Sequence, residues 1–416
     1  MEIIVISGTQ WGDEGKGKVS YYMSRFTDVS IRCGGGSNAE ATFYHEGKDW
    51  RFRMVPIRFL RDNIAMITDG VLISCDHLLL EIGQLEEEFG DVSDRFMISG
   101  NAHIVLPSHR EKDAFIDEKI LKITTIRQGI GPAIADRAYR VGVNVVAFIN
   151  SGGEPHGQTE HWRNREKYVE MLQKYRKNTK RILMKLCKTD KKILIQGSQG
   201  FMLDNIHVTY PAVTSSSTSA IGLLNGAGLP YTSVTRNIGV TKAYITRYSP
   251  GPFPTECSQE DQEKIRKTGN EFSYGSLKPL RIAWLDIAML RYANEINDYS
   301  ELFLTKLDVL SDLKEIPVCI GYRHRGETID TCYEWSNMDT SEYEPVYKIL
   351  KGWDCPIRGI RNFEELPVEA RDYVKFIEDQ VGTPVSMIGT GPKDEEMITR
   401  QNCKTGSDQA NLLKFQ

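Results

Sequence analysis

The sequence has no Cys-x-x-Cys pair, no long apolar run, no low-complexity tract and no excess of charge of either sign. Its eight cysteines (Cys33, Cys75, Cys187, Cys257, Cys319, Cys332, Cys355 and Cys403) are scattered. That spacing excludes a zinc-finger or disulfide framework and fits a reducing compartment. Lys and Arg total 52 against 56 Asp and Glu, a formal charge of −4. Such a balance lacks the basic footprint of a nucleic-acid or membrane binder. A small anionic ligand needs only local cations. No apolar stretch reaches the ~18 residues of a membrane helix. The N-terminus has neither the basic region nor the cleavage site of a signal peptide, so a cytoplasmic protein is expected. No repeat and no Pro/Ser-rich linker interrupts the 416 residues. We expect one domain over 1–416, with a polar, Gly-rich excursion and helix at about 150–190.

What is present is a regular alternation of strand and helix signals. Short apolar runs at Ile3–Ile6, Val29–Cys33, Ile64–Ile67, Phe96–Ile98, Ile193–Ile195, Ile238–Ile245, Leu302–Thr305 and Val385–Ile388 read as buried strands. Helices are expected over Lys18–Arg25, Asp76–Glu88, Glu160–Cys187, Gln259–Lys267, Trp284–Glu295 and Val368–Gln380. The stretch Asn150–Thr159 reads as a long loop. The alternation predicts an α/β fold, a mostly parallel central sheet with helices on both faces.

The first strand runs into a glycine-rich loop, Gly8-Thr-Gln-Trp-Gly-Asp-Glu-Gly-Lys-Gly17, and then a helix. Strand, Gly loop and helix form the opening of a P-loop-like nucleotide fold. Gly12, Gly15 and Gly17 let backbone N–H groups face a phosphate, and Lys16 adds a point charge. Position 10 is Gln rather than Gly. Gly17 stands where Ser or Thr would hold Mg²⁺, so the nearest carboxylate, Asp13, is the expected metal anchor. The competing interpretation is a tight turn with a surface lysine.

Thr305-Lys-Leu-Asp308 follows the strand Leu302–Leu304 and matches the [N/T]-K-x-D pattern of guanine binders. A carboxylate there accepts both N1–H and the exocyclic amine of guanine, a pair that adenine lacks. Lys306 would lie along the nucleotide by its aliphatic stem. Alone, the motif is equally an ordinary strand-end cap. Coupled to the phosphate loop, it selects GTP over ATP. Gly389-Thr-Gly-Pro392 follows another apolar strand and would close over the base.

The opening Gly8-Thr-Gln-Trp-Gly-Asp-Glu-Gly-Lys-Gly-Lys18 resembles the signature of the adenylosuccinate synthetase family. The likeness continues in order through Gly129-Ile-Gly-Pro-Ala133, Gln199-Gly200, Thr209-Tyr-Pro-Ala-Val-Thr-Ser-Ser216, Gly251-Pro-Phe-Pro-Thr-Glu256, Gly269-Asn-Glu-Phe272, Trp284-Leu-Asp286, Thr305–Asp308 and Gly389–Pro392. It is weakest over about Asn144–Lys192.

The resemblance implies the reaction GTP + IMP + L-aspartate → adenylosuccinate + GDP + phosphate, with Mg²⁺, through a 6-phosphoryl purine. It implies Asp13, Lys16 and Gln199 as catalytic residues. It implies GTP contacts from Gly12, Glu14, Gly15, Lys16, Gly17, Thr42, Lys306, Asp308, Gly389, Thr390 and Gly391. Asp13, Asn38, Thr125, Arg140, Gln199, Thr214 and Lys278 match purine-nucleotide positions, Arg140 reaching the neighbouring subunit of a homodimer. Ser276 and Arg281 fall in the amine-donor segment, and Asp13 and Glu40 are the candidate metal ligands.

Three departures stand out. The family's Gly-Gly-His-Asn-Ala-Gly-His-Thr becomes Gly35-Gly-Ser-Asn-Ala-Glu-Ala-Thr42, which replaces the acid histidine by Ala41. A positioned acid contributes ~10²–10⁴-fold. In an extended segment Glu40 points away from the face of Ala41. His45 shares that face but lies about 13 Å further on. The family's arginine run becomes Lys278-Pro-Leu-Arg281, with Leu280 where an arginine would clamp aspartate. The family's Thr-Thr-Gly-Arg-Gly-Ile-Gly is one residue longer here, Thr124-Thr-Ile-Arg-Gln-Gly-Ile-Gly131, and a Glu before Gly-x-Gln-Gly becomes Gln196. The expected function is therefore a GTP-dependent purine nucleotide ligase, with an amine donor or nucleotide open to change. The alternatives are a non-catalytic nucleotide-binding sensor or subunit, and a phage-type relative acting on dGMP.

Overall fold

The apolar run Ile3–Ile6 is at most 1% exposed and forms the middle of strand β1 (Glu2–Gly8). A run so short and so apolar is buried on both faces, as in a parallel sheet covered by helices. The computed structural model is described for residues 1–57, 63–122, 125–155, 162, 164–273, 278–332 and 340–400. The chain divides into two compact units. Unit one is Met1–Ser7, Lys16–Thr235 and Ser249–Gly251; unit two is Gly8–Gly15, Arg236–Tyr248 and Pro252–Gln416.

In unit one the further strands are β2 (Val29–Arg32), β3 (Ala41–His45), β4 (Lys48–Phe52), β5 (Ile64–Ile67), β6 (Leu72–Ile73), β7 (Phe96–Ser99), β8 (His103–Ile104), β9 (Arg176–Lys177) and β10 (Lys192–Gly200). The helices are α1 (Lys16–Met23), α2 (Cys75–Phe89), α3 (Pro107–Ile116), α4 (Ile130–Tyr139), α5 (Val145–Asn150), α6 (Arg165–Tyr175), α7 (Thr179–Leu186) and α8 (Ala220–Ala227). The main strand order is β1-β10-β2-β5-β7-β9, and each pair from β10 to β9 is parallel. Alternate residues of a strand face opposite sides. Ala65, Ile67, Phe96 and Ile98 accordingly join one apolar cluster with α2, α5 and α6. Met66 joins another, with Val29, Ile31, Ile193 and Ile195, against α7 and α8. Helices thus cover both faces, as the alternation required.

Unit two carries β11 (Val234–Lys242), β12 (Ile245–Arg247), β13 (Arg281–Ala283), β14 (Glu301–Thr305), β15 (Glu315–His324), β16 (Glu327–Ile329), β17 (Glu344–Lys351), β18 (Val385–Gly389) and β19 (Met397–Thr399), with α9 (Gln259–Gly269), α10 (Ile287–Asn297) and α11 (Val368–Val381). Strands β11, β14 and β18 pair in parallel, and β19 closes the edge antiparallel. The run Ile238–Ile245 divides between β11 and β12. Antiparallel β15–β17 and the β3–β4 hairpin carry mixed polar and apolar residues, and neither was expected from apolar runs.

Two expected helices are corrected. The span Glu160–Cys187 begins outside the described residues and then breaks into α6 and α7 around β9. The side chain of Asn178 accepts the N–H of Arg181 and so restarts the helix as an N-cap. The helix expected from Trp284 begins at Ile287, because Asp286 caps it through the N–H of Met289 at 3.1 Å. The loop expected over Asn150–Thr159 begins as turns after α5; positions beyond 155 lie outside the described residues.

Candidate active site

The loop after β1 has positive φ at Gly12 (93°), Asp13 (58°) and Gly15 (89°). Left-handed residues in close succession turn backbone N–H groups into a concavity suited to phosphate. Asp13 is a non-glycine in that region and is exposed. Glu14 is fully buried. Its Oε1 accepts the N–H groups of Gln10 and Gly12, both at 3.0 Å, so it braces the loop from within. Gln10 straps the loop to β11. Its amide donates to the carbonyls of Lys242 and Tyr244 and accepts the N–H of Lys242.

The guanine motif leaves β14, and Gly389–Pro392 leaves β18. Leu304 pairs with Ile388, so both segments exit at one edge. A Cβ on Gly389 would lie 3.4 Å from the Cα of Thr305. The hydroxyl of Thr305 donates to the carbonyl of Glu14 at 2.6 Å, which ties this strand end to the phosphate loop. Lys306 adopts φ 56°. Its ammonium donates to the carbonyl of Gly269 at 2.9 Å and to Glu271 Oε1 at 2.6 Å. Asp308 sits half-buried in the following short turn, Leu307–Leu310. Thr390 is fully buried, and its hydroxyl donates to the carbonyl of Ile360; Gly391 lies against Glu396.

Glu271, the hub of the contacts around Lys306, was not singled out from the sequence. It is 3% exposed, and its Oε1 also accepts from Lys242 at 3.1 Å and from the Tyr244 hydroxyl at 2.5 Å. Burial pushes its carboxyl up, but the ammonium groups of Lys242 and Lys306 outweigh burial and hold it down at about 2. Lys242 is fully buried, and desolvation pulls its ammonium below the ordinary lysine value. The only sequence signal for Glu271 was its place in Gly269-Asn-Glu-Phe272.

In unit one, Lys16 opens α1 and is 9% exposed. A Cβ on Gly17 would lie 2.2 Å from the carbonyl oxygen of Thr42 on β3. That close approach is the steric reason for glycine after the lysine, where a metal-holding Ser or Thr would clash. The parallel β10–β2 pairing sets Gln196 beside Arg32, which brings Gln199 against Gly35. Asn38 accepts from Gly36 N–H and reaches the Thr214 hydroxyl at 3.5 Å. Ser37 donates to Gln128, and Arg32 donates to the carbonyl of Gly36. Asn38, Gln199 and Thr214 thus gather around Gly35–Asn38. The N–H of Thr125 is held by Asp117, which also pairs with Arg127. Among the described residues, Gln199 Nε2 and the hydroxyls of Thr125, Thr209 and Ser216 are buried without a hydrogen-bond partner. Each such atom costs about 1–3 kcal/mol unless a ligand meets it. Arg140 ends α4 at φ 68° and is exposed. In unit two Lys278 is exposed and its carbonyl accepts from Ser273 N–H; Ser276 lies outside the described residues.

The family model for adenylosuccinate synthetase matches residues 5–398. The adenylosuccinate synthetase of Halothermothrix orenii is 39% identical over 95% of this chain and 98% of its own. The chain belongs to the adenylosuccinate synthetase family. The solved structure of fully ligated adenylosuccinate synthetase from Plasmodium falciparum has a TM-score of 0.88 at 33% identity, covering 96% of this chain and 100% of that one. Cyanophage S-2L succinoaminodeoxyadenylate synthetase, solved with dGMP and dATP, has a TM-score of 0.65 at 20% identity over 99% of this chain and 97% of its own; that likeness shows the shared fold alone.

The departures from the family take defined places in the structure. Ala41 opens β3 and packs against the aromatic core cluster. His45 lies on the same face, and its Nδ1 is 2.5 Å from the Tyr21 hydroxyl. Glu40 pairs with Arg53 at 3.1 Å, and Arg53 also donates to the carbonyl of Ser37. Leu280 is 3% exposed, whereas Arg281 forks onto Glu256 at 2.9 and 2.6 Å. Gln196 bonds Ile57 reciprocally, accepting its N–H at 3.0 Å and donating to its carbonyl at 2.9 Å. A glutamate carboxylate at 196 could accept but not donate.

Mg²⁺ that arrives on nucleotide phosphates needs only one or two carboxylates from the protein. Among the described residues no group of three or more His, Cys, Asp and Glu could hold a metal on its own. Exposed Asp13 at the turn of a phosphate loop fits that sparse donor set. Glu40, engaged by Arg53, fits it less well.

Proposed function

We propose that this protein is a GTP-dependent C–N ligase of the adenylosuccinate synthetase type, joining L-aspartate to IMP with release of GDP and phosphate. The observation that carries it is the Thr305–Glu14 hydrogen bond, which makes the phosphate loop and the guanine motif one assembly. Asp308 reads guanine, and Lys16 with the loop N–H groups holds the phosphates. Asn38, Thr125, Gln199 and Thr214 hold the purine nucleotide, and the partnerless Gln199 amide and Thr125 hydroxyl supply donors for it. Asp13 takes the N1 proton of IMP, and O6 then attacks the γ-phosphorus as the bond to GDP breaks. The donor amine next attacks C6, and phosphate leaves with the C–O bond. Mg²⁺, with Asp13 among its ligands, would offset charge on the phosphates. We place the protein in the cytoplasm as a homodimer in which exposed Arg140 meets the neighbouring nucleotide. No helix among the described residues is long and apolar enough to cross a membrane.

Buried Leu280 and paired Arg281 favour a second reading of one step, a donor other than aspartate. Phosphate release with GTP, IMP and a panel of amino acids tests both. Turnover with aspartate supports the first, and turnover with another amine supports the second. GTP binding with no ligated product by mass spectrometry overturns both in favour of a sensor. A gain in rate of about tenfold or more in Ala41→His would mark the missing acid as limiting.

A further inference from the structure

Lys306 and Asp308 form the guanine motif, yet the lysine's charge is directed into the protein. Its ammonium meets Glu271 and the carbonyl of Gly269, and its backbone holds the left-handed conformation that starts the turn carrying Asp308. Glu271 in turn is fixed by Lys242 and Tyr244, both buried. Lys242 is anchored further by the Thr246 hydroxyl at 2.6 Å, and its backbone is held by Gln10 of the phosphate loop. The main chain of Glu271 also holds Leu280. Leu280 N–H donates to the Glu271 carbonyl at 3.1 Å, and Phe272 bridges Pro279.

We propose that Glu271 is a positioning residue for the guanine site. By holding the lysine head away from the nucleotide, it presents the aliphatic stem of Lys306 to the base and sets the turn that aims Asp308. It acts through Lys306 and Asp308 and does not touch the nucleotide. This inference rests on the guanine assignment above. A charge-assisted bond of this kind, once lost, loosens the site by about tenfold or more.

The test measures GTP, ATP and IMP affinity by equilibrium dialysis for the wild-type chain, Glu271→Gln, Lys306→Met and the double variant. We expect GTP affinity to fall about tenfold in each single variant, with no further loss in the double one, while IMP affinity stays within about twofold. Merely structural damage would weaken IMP as well. If both single variants keep the wild-type preference for GTP over ATP, Glu271 has no positioning role. Should Glu271→Gln fail to fold, Lys306→Met decides: an unchanged preference overturns the proposal, and a lost preference with intact IMP binding supports it. A wild-type chain with no preference for GTP overturns the guanine assignment and this inference together.

Discussion

The guanine cluster of unit two and the nucleotide cluster of unit one are built on opposite principles. Around Glu271 each charged head has a counter-charge or a carbonyl, and Thr305, Gln10 and Glu14 tie the loop to the strand ends. In unit one, the side chains of Gln199, which lies against Gly35, and of Thr125, Thr209 and Ser216 keep buried polar atoms without a protein partner. The first cluster is complete before any ligand binds, so its hydrogen bonds support the fold. The second is incomplete, so its stability is to come from what binds there. Variants in the two clusters should therefore differ in whether they change stability or affinity.

The largest effect is expected at Asp13, the exposed carboxylate of the phosphate loop. Asp13→Asn keeps size and backbone preference but cannot take a proton. Single-turnover phosphate release with GTP and IMP should fall by about 10²–10⁴-fold, with GTP affinity within a few-fold of wild type. An unchanged rate would remove Asp13 as the base. Next comes Gln199→Leu. Purine nucleotide affinity should weaken by about 10- to 100-fold, while the melting temperature without ligand stays level or rises, because a buried donor without a partner is gone. A large loss of stability with intact binding would reverse the comparison.

Much of this contrast was legible in the sequence, but unevenly. The phosphate loop and Asp308 were legible because each follows a short apolar strand, where pattern and chemistry coincide, whereas Gln199 was indicated by the family resemblance alone. Glu271 and Lys242 were not legible, because a buried ion pair is set by strands and loops distant along the chain: residues 242, 271 and 306 meet only when β11, β14 and the chain after α9 are assembled. The fate of Leu280 was visible as a substitution, yet its burial and the capture of Arg281 by Glu256 needed the fold. The β3–β4 hairpin went unrecognised because Ala41–Phe52 mixes charged and aromatic residues without a continuous apolar run.

A third prediction concerns pH and the complete cluster alone. The Glu271 carboxyl is held at about 2, below its ordinary value of 4.5, first against burial and then by Lys242 and Lys306. A carboxyl lowered on folding stabilises the fold above its unfolded pKa and loses that contribution as pH falls through its folded one. Wild-type stability, followed by urea titration from pH 6 to about 2.5, should drop by a few kcal/mol through this group. Glu271→Gln should be less stable at neutral pH and show a flatter profile. Parallel profiles would place the acid sensitivity elsewhere.

The smallest effect is expected where the chain departs from its family in the frame beneath the nucleotide cluster. Gln196 and the main chain of Ile57 exchange two hydrogen bonds, one in each direction, at a residue 8% exposed. Gln196→Glu restores the family residue but removes the donor, leaving the Ile57 carbonyl facing a carboxylate. The loss is about 1–3 kcal/mol, read as a melting temperature lower by several degrees. Nucleotide affinity should change less than in Gln199→Leu, because Gln196 bonds inward to the backbone while Gln199 lies three residues on, at the strand end. If restoring the glutamate instead raised turnover without loss of stability, Gln196 would belong to the site and not to its frame, and the boundary between the two would shift one turn of strand toward the core.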